Sequence, residues 1–173
     1  GIGGTGTVTF TGGDVGTEAF AHFGHGGYNT NGDHTGRLEL LAPGDIMFLA
    51  GDADGSYAQF GNGGLNGHQG LEGTVGSSGR LSMGSTDGSI HFLGEGGLNA
   101  YAQFGNGGVD NIGSHSGDIV ARAGGDILIT QGTGENAYGQ LGHGGTGAET
   151  TRTIGHSGHI TVSAGTLEET VMD

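Results

Sequence analysis

Nine histidines are the residues of this chain best suited to bind a metal ion or to transfer a proton near neutral pH. Two of them, His25 and His143, occupy equivalent positions in a recurring stretch of the form G-[H/N]-G-G, where the other copies carry Asn62 and Asn106. A metal site needs several converging ligands, and the asparagines separate these two histidines along the repeat. The pattern therefore predicts a polar ladder at a tight turn, where Asn and His tolerate a left-handed φ angle.

The chain is strongly acidic, with 18 carboxylate side chains against four arginines, and its net charge is −14 at pH 7. Binding to nucleic acid or to an anionic membrane surface depends on Lys and Arg, so neither is an expected partner. No apolar run approaches the roughly 20 residues that a transmembrane helix needs, so no membrane insertion is expected. Asp52 and Asp54 in "AGDADG" resemble the start of a calcium loop, but the closing glutamate is missing. We predict no cofactor, with calcium as the one alternative.

These residues lie in a chain with an internal period. The stretch "YAQFGNGG" begins at Tyr57 and again at Tyr101, and variants of it begin at Phe20 and Tyr138. Two further motifs recur between the copies, and most of the variation in length falls in one connection, which reads "GLNGHQGLEGTVGS" from Gly64. The 45 glycines therefore mark turns at fixed positions of a repeat architecture and not a disordered, low-complexity chain.

Each motif alternates apolar and polar residues between glycine-rich boundaries, which is typical of short β-strands. We predict an all-β fold, a right-handed parallel β-solenoid with three short strands in each repeat of about 37 residues and one coil per repeat. Residues 1–173 form one solenoid of about four repeats, a segment or subunit of a longer array. Two stacks of side chains are expected along it: an aromatic row of Phe20, Tyr57, Tyr101 and Tyr138, and a turn ladder of His25, Asn62, Asn106 and His143.

One strand type has apolar residues on both faces. If Ile46 and Phe48 point inward, their neighbours point outward and stack into an apolar strip made of Met47, Leu49, Leu93 and Leu128. Exposed strips of this kind mark interfaces. We therefore expect this face to contact another copy of the chain or a neighbouring stretch of the same protein.

Two other function classes remain open. A carbohydrate-processing β-helix enzyme would need two carboxylates at a defined separation, and the repeats offer no such pair, so the chain is not predicted to be an enzyme. An ice-binding solenoid would need a sustained threonine array. Thr9 and Thr11 begin one, but Met47 and Leu49 occupy the same positions in the next repeat.

The segments "NAYAQFGNGG" from Asn99 and "SGDIVARAGGDILITQG" from Ser116 resemble repeats of large bacterial secreted exoproteins of the filamentous-haemagglutinin type. The resemblance covers residues 6–165. It implies export to the cell surface or medium, and a parallel β-helix that serves as an adhesin shaft or surface fibre. The expected partners are copies of the chain itself, with a surface glycan or cell receptor as a further partner.

Overall fold

The computed structural model describes residues 6–67, 76–147 and 155–165, which fold into 16 short β-strands and four coils. The first two coils contain β1 (Val8–Thr11), β2 (Phe20–Phe23), β3 (His34–Thr35), β4 (Leu38–Ala42), β5 (Ile46–Leu49), β6 (Tyr57–Phe60), β7 (Gly76–Ser78) and β8 (Leu81–Ser85). The last two contain β9 (Ile90–Leu93), β10 (Tyr101–Phe104), β11 (Ser114–Ser116), β12 (Ile119–Ala123), β13 (Ile127–Thr130), β14 (Tyr138–Leu141), β15 (His156–Ser157) and β16 (Ile160–Ala164).

Every strand pairs in parallel with the equivalent strand of the next coil. The result is four sheets, in the orders β1-β5-β9-β13, β2-β6-β10-β14, β3-β7-β11-β15 and β4-β8-β12-β16. The predicted all-β parallel solenoid is confirmed, with one repeat per coil. The predicted count of three strands per coil is wrong, because β3, β7, β11 and β15 form a fourth sheet. These strands have only two or three residues, too few for an alternating pattern to be visible in the sequence.

The two copies of the octapeptide lie side by side. Tyr57 pairs with Tyr101 and Phe60 with Phe104, so like residues face each other at one strand spacing. Coil length varies mainly in the connection between the second and third strand types, residues 24–33, 61–75, 105–113 and 142–155. Residues 68–75 of this variable connection lie outside the described residues.

The main core runs along the axis and is filled by side chains from three of the four sheets. Its largest fully buried members are Phe48, Phe92, Phe60, Phe104, Ile46, Ile90, Leu81, Met83 and Ile119. Phenylalanine rings stack between coils, with centroids 4.6 Å apart for Phe10 and Phe48 and 5.0 Å apart for Phe48 and Phe92. These distances follow from the spacing of about 4.8 Å between strands.

A second, smaller core lies on the opposite face of β6 and β10. All four residues of each of these strands are buried. Ala58 and Phe60 enter the main core, whereas Tyr57 packs with Leu65 and with Tyr101 of the next coil. Leu65, in the described part of the connection after β6, therefore covers the outer face of the sheet.

Close packing between coils leaves no room for a side chain at several glycines. Gly64 has a φ angle of +129°, and a Cβ added there would overlap the carbonyl oxygen of Gly27 in the preceding coil. Gly32 has a φ angle of +95° but faces open space. A side chain at Gly32 would therefore cause backbone strain alone, whereas one at Gly64 would cause both strain and a clash between coils.

We expect Gly64→Ala to lower the free energy of unfolding by more than about 3 kcal/mol, because strain and a backbone clash add together. Gly32→Ala carries the strain alone and should cost only about 1 kcal/mol. Urea denaturation followed by far-UV circular dichroism measures both. Equal losses for the two variants would contradict the clash.

Candidate functional site: the stacked side-chain ladders

The predicted aromatic row forms one continuous stack, here called the aromatic ladder. Its ring centroids are 4.8 Å apart for Phe20 and Tyr57, 4.8 Å for Tyr57 and Tyr101, and 5.2 Å for Tyr101 and Tyr138. Tyr57 and Tyr101 are fully buried, while 44% of Phe20 is exposed. The stack belongs to the second core, beneath the connection that follows each of these strands.

The tyrosines of this ladder are held as neutral phenols. Burial raises the pKa of Tyr57, and burial together with the neighbouring phenols raises that of Tyr101. A Cβ added at Gly108 would lie 2.8 Å from the Tyr101 hydroxyl oxygen, so glycine makes room for the phenol. Tyr57 and Tyr101 are fully buried and stack on each other, so these two residues serve packing.

The predicted turn ladder is connected by hydrogen bonds and is here called the amide ladder. The backbone N–H of each member donates to the side chain of the next: His25 to Asn62 Oδ1 (3.2 Å), Asn62 to Asn106 Oδ1 (2.9 Å) and Asn106 to His143 Nδ1 (3.0 Å). Asn106 Nδ2 in turn donates to the carbonyls of Gly79 and Ser116. Each asparagine therefore links neighbouring coils and also ties one sheet to another.

His143 replaces an asparagine in this ladder with the same two functions. Its Nδ1 accepts from Asn106, and its Nε2 lies 2.8 Å from the carbonyl oxygen of Gly117. These partners require a neutral ring with the proton on Nε2. Burial lowers the pKa of His143, although the bond to Gly117 opposes the shift.

The predicted reason for this ladder, a left-handed φ angle at the ladder residues, is wrong. His25, Asn62, Asn106 and His143 do not have positive φ angles. Most of the glycines beside them do, for example Gly61 and Gly63 on either side of Asn62. Asn62, Asn106 and His143 are therefore required for their side-chain hydrogen bonds and not for a backbone conformation.

Sequence reasoning missed a third stack, here called the glutamine ladder, which consists of His22, Gln59, Gln103 and Gln140 in register. Gln59 Nε2 donates to the carbonyls of Gly105 and Gly107 in the following coil. His22 Nε2 lies 2.6 Å from the carbonyl oxygen of Gly61 in the same way. The available signal is the Gln that recurs at the same place of the repeated motif, as Gln59, Gln103 and Gln140.

A fourth stack, here called the serine–histidine ladder, lies in the short strands: His34, Ser77, His115 and His156. The backbone N–H of Ser77 donates to His115 Nδ1 (3.3 Å), and that of His115 to His156 Nδ1 (3.4 Å). The rings of His115 and His156 stack at 5.0 Å. Burial and the nearby His143 lower the pKa of His156.

The aspartates weighed as calcium ligands accept backbone hydrogen bonds between coils. Asp52 Oδ1 accepts from Gly96 N–H (2.9 Å) and Asp54 Oδ1 from Leu98 N–H (3.0 Å). In the described parts of the chain, no group of three or more His, Asp or Glu side chains is placed to hold a metal ion. Acidic residues at these turns thus join one coil to the next.

The predicted apolar strip lies on the outer face of β5, β9 and β13, but not as one row. Leu49 and Leu93 are in register with Thr130, whereas Met47 is in register with His91 and Leu128. Leu128 is 46% exposed and the other three are half-buried. Each row therefore combines apolar and polar residues.

Comparison with protein-family models, with curated proteins and with solved structures found no match. Across the described ranges there is no helix long and apolar enough to cross a membrane. The ladders are therefore interpreted from their own chemistry.

We expect Asn106→Ala to lower the free energy of unfolding by about 3 kcal/mol, because it leaves the buried N–H of Asn62 and the carbonyls of Gly79 and Ser116 without their side-chain partner. Urea denaturation measures the loss. Ser82→Ala, on an outer face, is the control and should change stability by less than about 0.5 kcal/mol. A loss at Asn106 no larger than that of the control would contradict the bridging role.

Stability should also depend on pH through His22. Its pKa lies below the ordinary value of 6.5 because of burial and the nearby His34 and His25, against the opposing effect of the bond to Gly61. The unfolded chain therefore takes up a proton more readily, so stability is full above pH 6.5 and falls as the pH drops toward the folded-state pKa.

His22→Gln gives the first coil the glutamine that the second coil has at the equivalent position, Gln59. The variant should make stability less dependent on pH. Urea denaturation midpoints at pH 8, 6 and 5 measure this pH dependence of stability. Most carboxylates remain ionised at these pH values. An unchanged slope in the variant would contradict the assignment to His22.

Proposed function

We propose that the chain is a structural unit of an extracellular bacterial fibre or adhesin, in which stacked coils form a stiff rod. The observation that carries the proposal is the continuity of four side-chain ladders through all four coils. The side chains of Gln59, Asn62 and Gln103 are fully buried and hydrogen-bond to neighbouring coils. These buried polar side chains therefore hold neighbouring coils together.

Stiffness is the mechanical property that this arrangement favours. Backbone hydrogen bonds and ring stacks run parallel to the axis, so bending or sliding one coil disturbs several ladders at once. The carboxylates at the turns, for example Asp45 with the N–H of Ser89 at 2.8 Å, add bonds in the same direction. A shaft that holds a binding region away from a cell surface needs this resistance.

Copies of the chain can associate in two ways, end to end through their end faces or side by side through the lateral apolar strip. Residues at core positions are exposed in the last coil, with Ile160 51% and Val162 48% exposed. Their equivalents in the coil before, Ile119 and Ala121, are fully buried. A further coil stacked on this face would bury them as the inner coils are buried.

A surface glycan or receptor is the second candidate partner, and one groove supports it. The outer face of β4, β8 and β12 carries a cavity of about 460 Å³ lined in part by Glu39, Leu41 and Arg122. Gly84 lies in register between Leu41 and Arg122, and because it has no side chain it leaves space for the cavity. Among the described residues that line it there is one carboxylate, Glu39, which pairs with Arg37 at 2.8 Å. The groove therefore favours glycan contact over hydrolysis, for which two carboxylates are required.

Negative-stain electron microscopy of the purified chain at neutral pH tests the structural role. We expect rods whose length grows with protein concentration. Ile160→Asp/Val162→Asp should weaken end-to-end association by about tenfold or more, because it places charge in an apolar contact. Leu49→Asp/Leu93→Asp/Leu128→Asp should instead abolish side-by-side pairing, which light scattering coupled to size exclusion distinguishes.

Val15→Asp is the control, because Val15 lies in a turn and is 84% exposed. It should leave assembly unchanged. Circular dichroism confirms that each variant retains its strands. Dispersed single copies of the unmodified chain at all concentrations would overturn the proposal.

A further inference from the structure

Both asparagines of the amide ladder are followed by glycine in the sequence. The chain contains four Asn-Gly pairs, and two of them, Asn62–Gly63 and Asn106–Gly107, belong to the ladder. Asparagine is a chemically labile residue. It deamidates most readily before glycine, because glycine has no side chain to hinder the approach of its backbone nitrogen to the side-chain amide. The ladder is therefore built from labile pairs.

Deamidation of such a pair follows a defined course. The backbone nitrogen of the glycine loses its proton and attacks Cγ of the asparagine, a C–N bond forms, and the side-chain nitrogen leaves as ammonia. Water then opens the resulting succinimide ring at either carbonyl, which gives aspartate or isoaspartate. The net reaction consumes one water and releases one ammonia. It requires a glycine N–H that is free to lose its proton and an asparagine side chain that is free to rotate.

The folded structure meets neither requirement at Asn62. Its Oδ1 accepts the N–H of His25 (3.2 Å), and its Nδ2 donates to the carbonyls of Gly36 and Ser78 (both 3.0 Å). The nitrogen that attacks in deamidation, that of Gly63, donates to the carbonyl of His25 at 2.8 Å. Asn62 is also fully buried, so the structure holds both reacting groups away from each other and from water.

Asn106 is held in the same way. Its Oδ1 accepts the N–H of Asn62 (2.9 Å), and its Nδ2 donates to the carbonyls of Gly79 and Ser116. The N–H of Gly107 donates to the carbonyl of Asn62 at 2.8 Å, and Asn106 is fully buried. Both labile pairs are thus protected by bonds to neighbouring coils, and the protection lasts only while the coils stay stacked.

The products of deamidation do not fit the ladder. A carboxylate has no amide hydrogens, so at residue 62 one of its oxygens would face the carbonyl oxygens of Gly36 and Ser78, to which Nδ2 of Asn62 donates. Burying that charge without a donor is unfavourable. Isoaspartate also adds one carbon to the backbone and so disturbs the register between coils. Either product therefore opposes the return to the folded state.

We propose that Asn62 and Asn106 are latent deamidation sites, which the fold protects and which make unfolding irreversible once they react. A chain that stays folded keeps both amides. A chain whose coils remain open loses ammonia at these two sites and cannot rebuild the amide ladder. The proposal does not depend on the proposed function, because it holds whether or not the chain forms a fibre.

Peptide mapping by mass spectrometry after incubation of the full chain at pH 8, with and without denaturing urea, tests the protection. Without urea, Asn62 and Asn106 should convert at least about a hundredfold more slowly than in urea, because conversion needs the opened state. In urea they should convert about as fast as the other two pairs, Asn31–Gly32 and Asn66–Gly67, which are the internal reference.

Dilution from urea after increasing incubation times tests the irreversibility. The refolded fraction, measured by circular dichroism, should fall in step with the conversion of Asn62 and Asn106. Incubation in the same urea at pH 5 should preserve refolding, because the attacking nitrogen must first lose its proton.

Two variants separate the ladder sites from the other pairs. Asn31→Ser/Asn66→Gly removes the reference sites and should still lose refolding at pH 8; glycine suits the positive φ angle of Asn66. Asn62→His/Asn106→His should keep refolding, since His143 makes the equivalent ladder bonds without an amide that can hydrolyse.

Slow conversion in the folded chain, together with a refolding loss that tracks conversion in urea, supports the proposal. Equal conversion rates of Asn62 or Asn106 with and without urea overturn it, and so does full refolding after complete conversion or an equal loss at pH 5 and pH 8. If the double histidine variant fails to fold, Asn62→Asp/Asn106→Asp provides the comparison, because it carries the product from the start. A urea midpoint below that of the unmodified chain is expected, and an unchanged midpoint overturns the proposal.

Discussion

The spacing of about 4.8 Å between hydrogen-bonded parallel strands is the constraint on which the rest of this structure depends. It places each residue directly against the equivalent residue of the next coil, so every position must be compatible with a copy of itself. Aromatic rings meet that condition by stacking flat, as Tyr57 and Tyr101 do with an interplanar angle of 2°. Amides meet it by donating to one neighbour while accepting from another. Glycine meets it where backbones come too close for a side chain.

The same constraint explains how this acidic protein can fold with few basic side chains. Arg37 and Glu39 form an exposed pair on the surface, and such pairs contribute little. Asp45 and Asp52 instead accept backbone N–H groups of the following coil. These bonds connect the turns of neighbouring coils without a basic partner. Negative charge is thus part of the turn chemistry and also keeps the surface soluble.

The sequence was enough to predict the features that repetition encodes directly. It did not reveal the features that depend on which segments bury the sheets in the folded protein. Identical residues at a constant spacing were enough to predict a parallel solenoid, and they also indicated which residues would stack, such as Tyr57 on Tyr101. The glutamine ladder was not predicted, because the burial of Gln59 and its bonds to the carbonyls of Gly105 and Gly107 depend on how the next coil folds. The short strand at Ser114–Ser116 escaped for lack of length. The exchange of Asn106 for His143 was visible, but its cause is a pair of hydrogen bonds and not a φ angle.

The ladder bonds between coils also give the rod a chemical direction. Amide hydrogens of the amide and glutamine ladders point from each coil toward the one that follows it. The two ends of the rod therefore differ in these two ladders, so no twofold axis can relate one end to the other. A growing assembly would gain copies at different rates at its two ends. A fibre built from this chain would be anchored by one kind of end and would present the other to its surroundings.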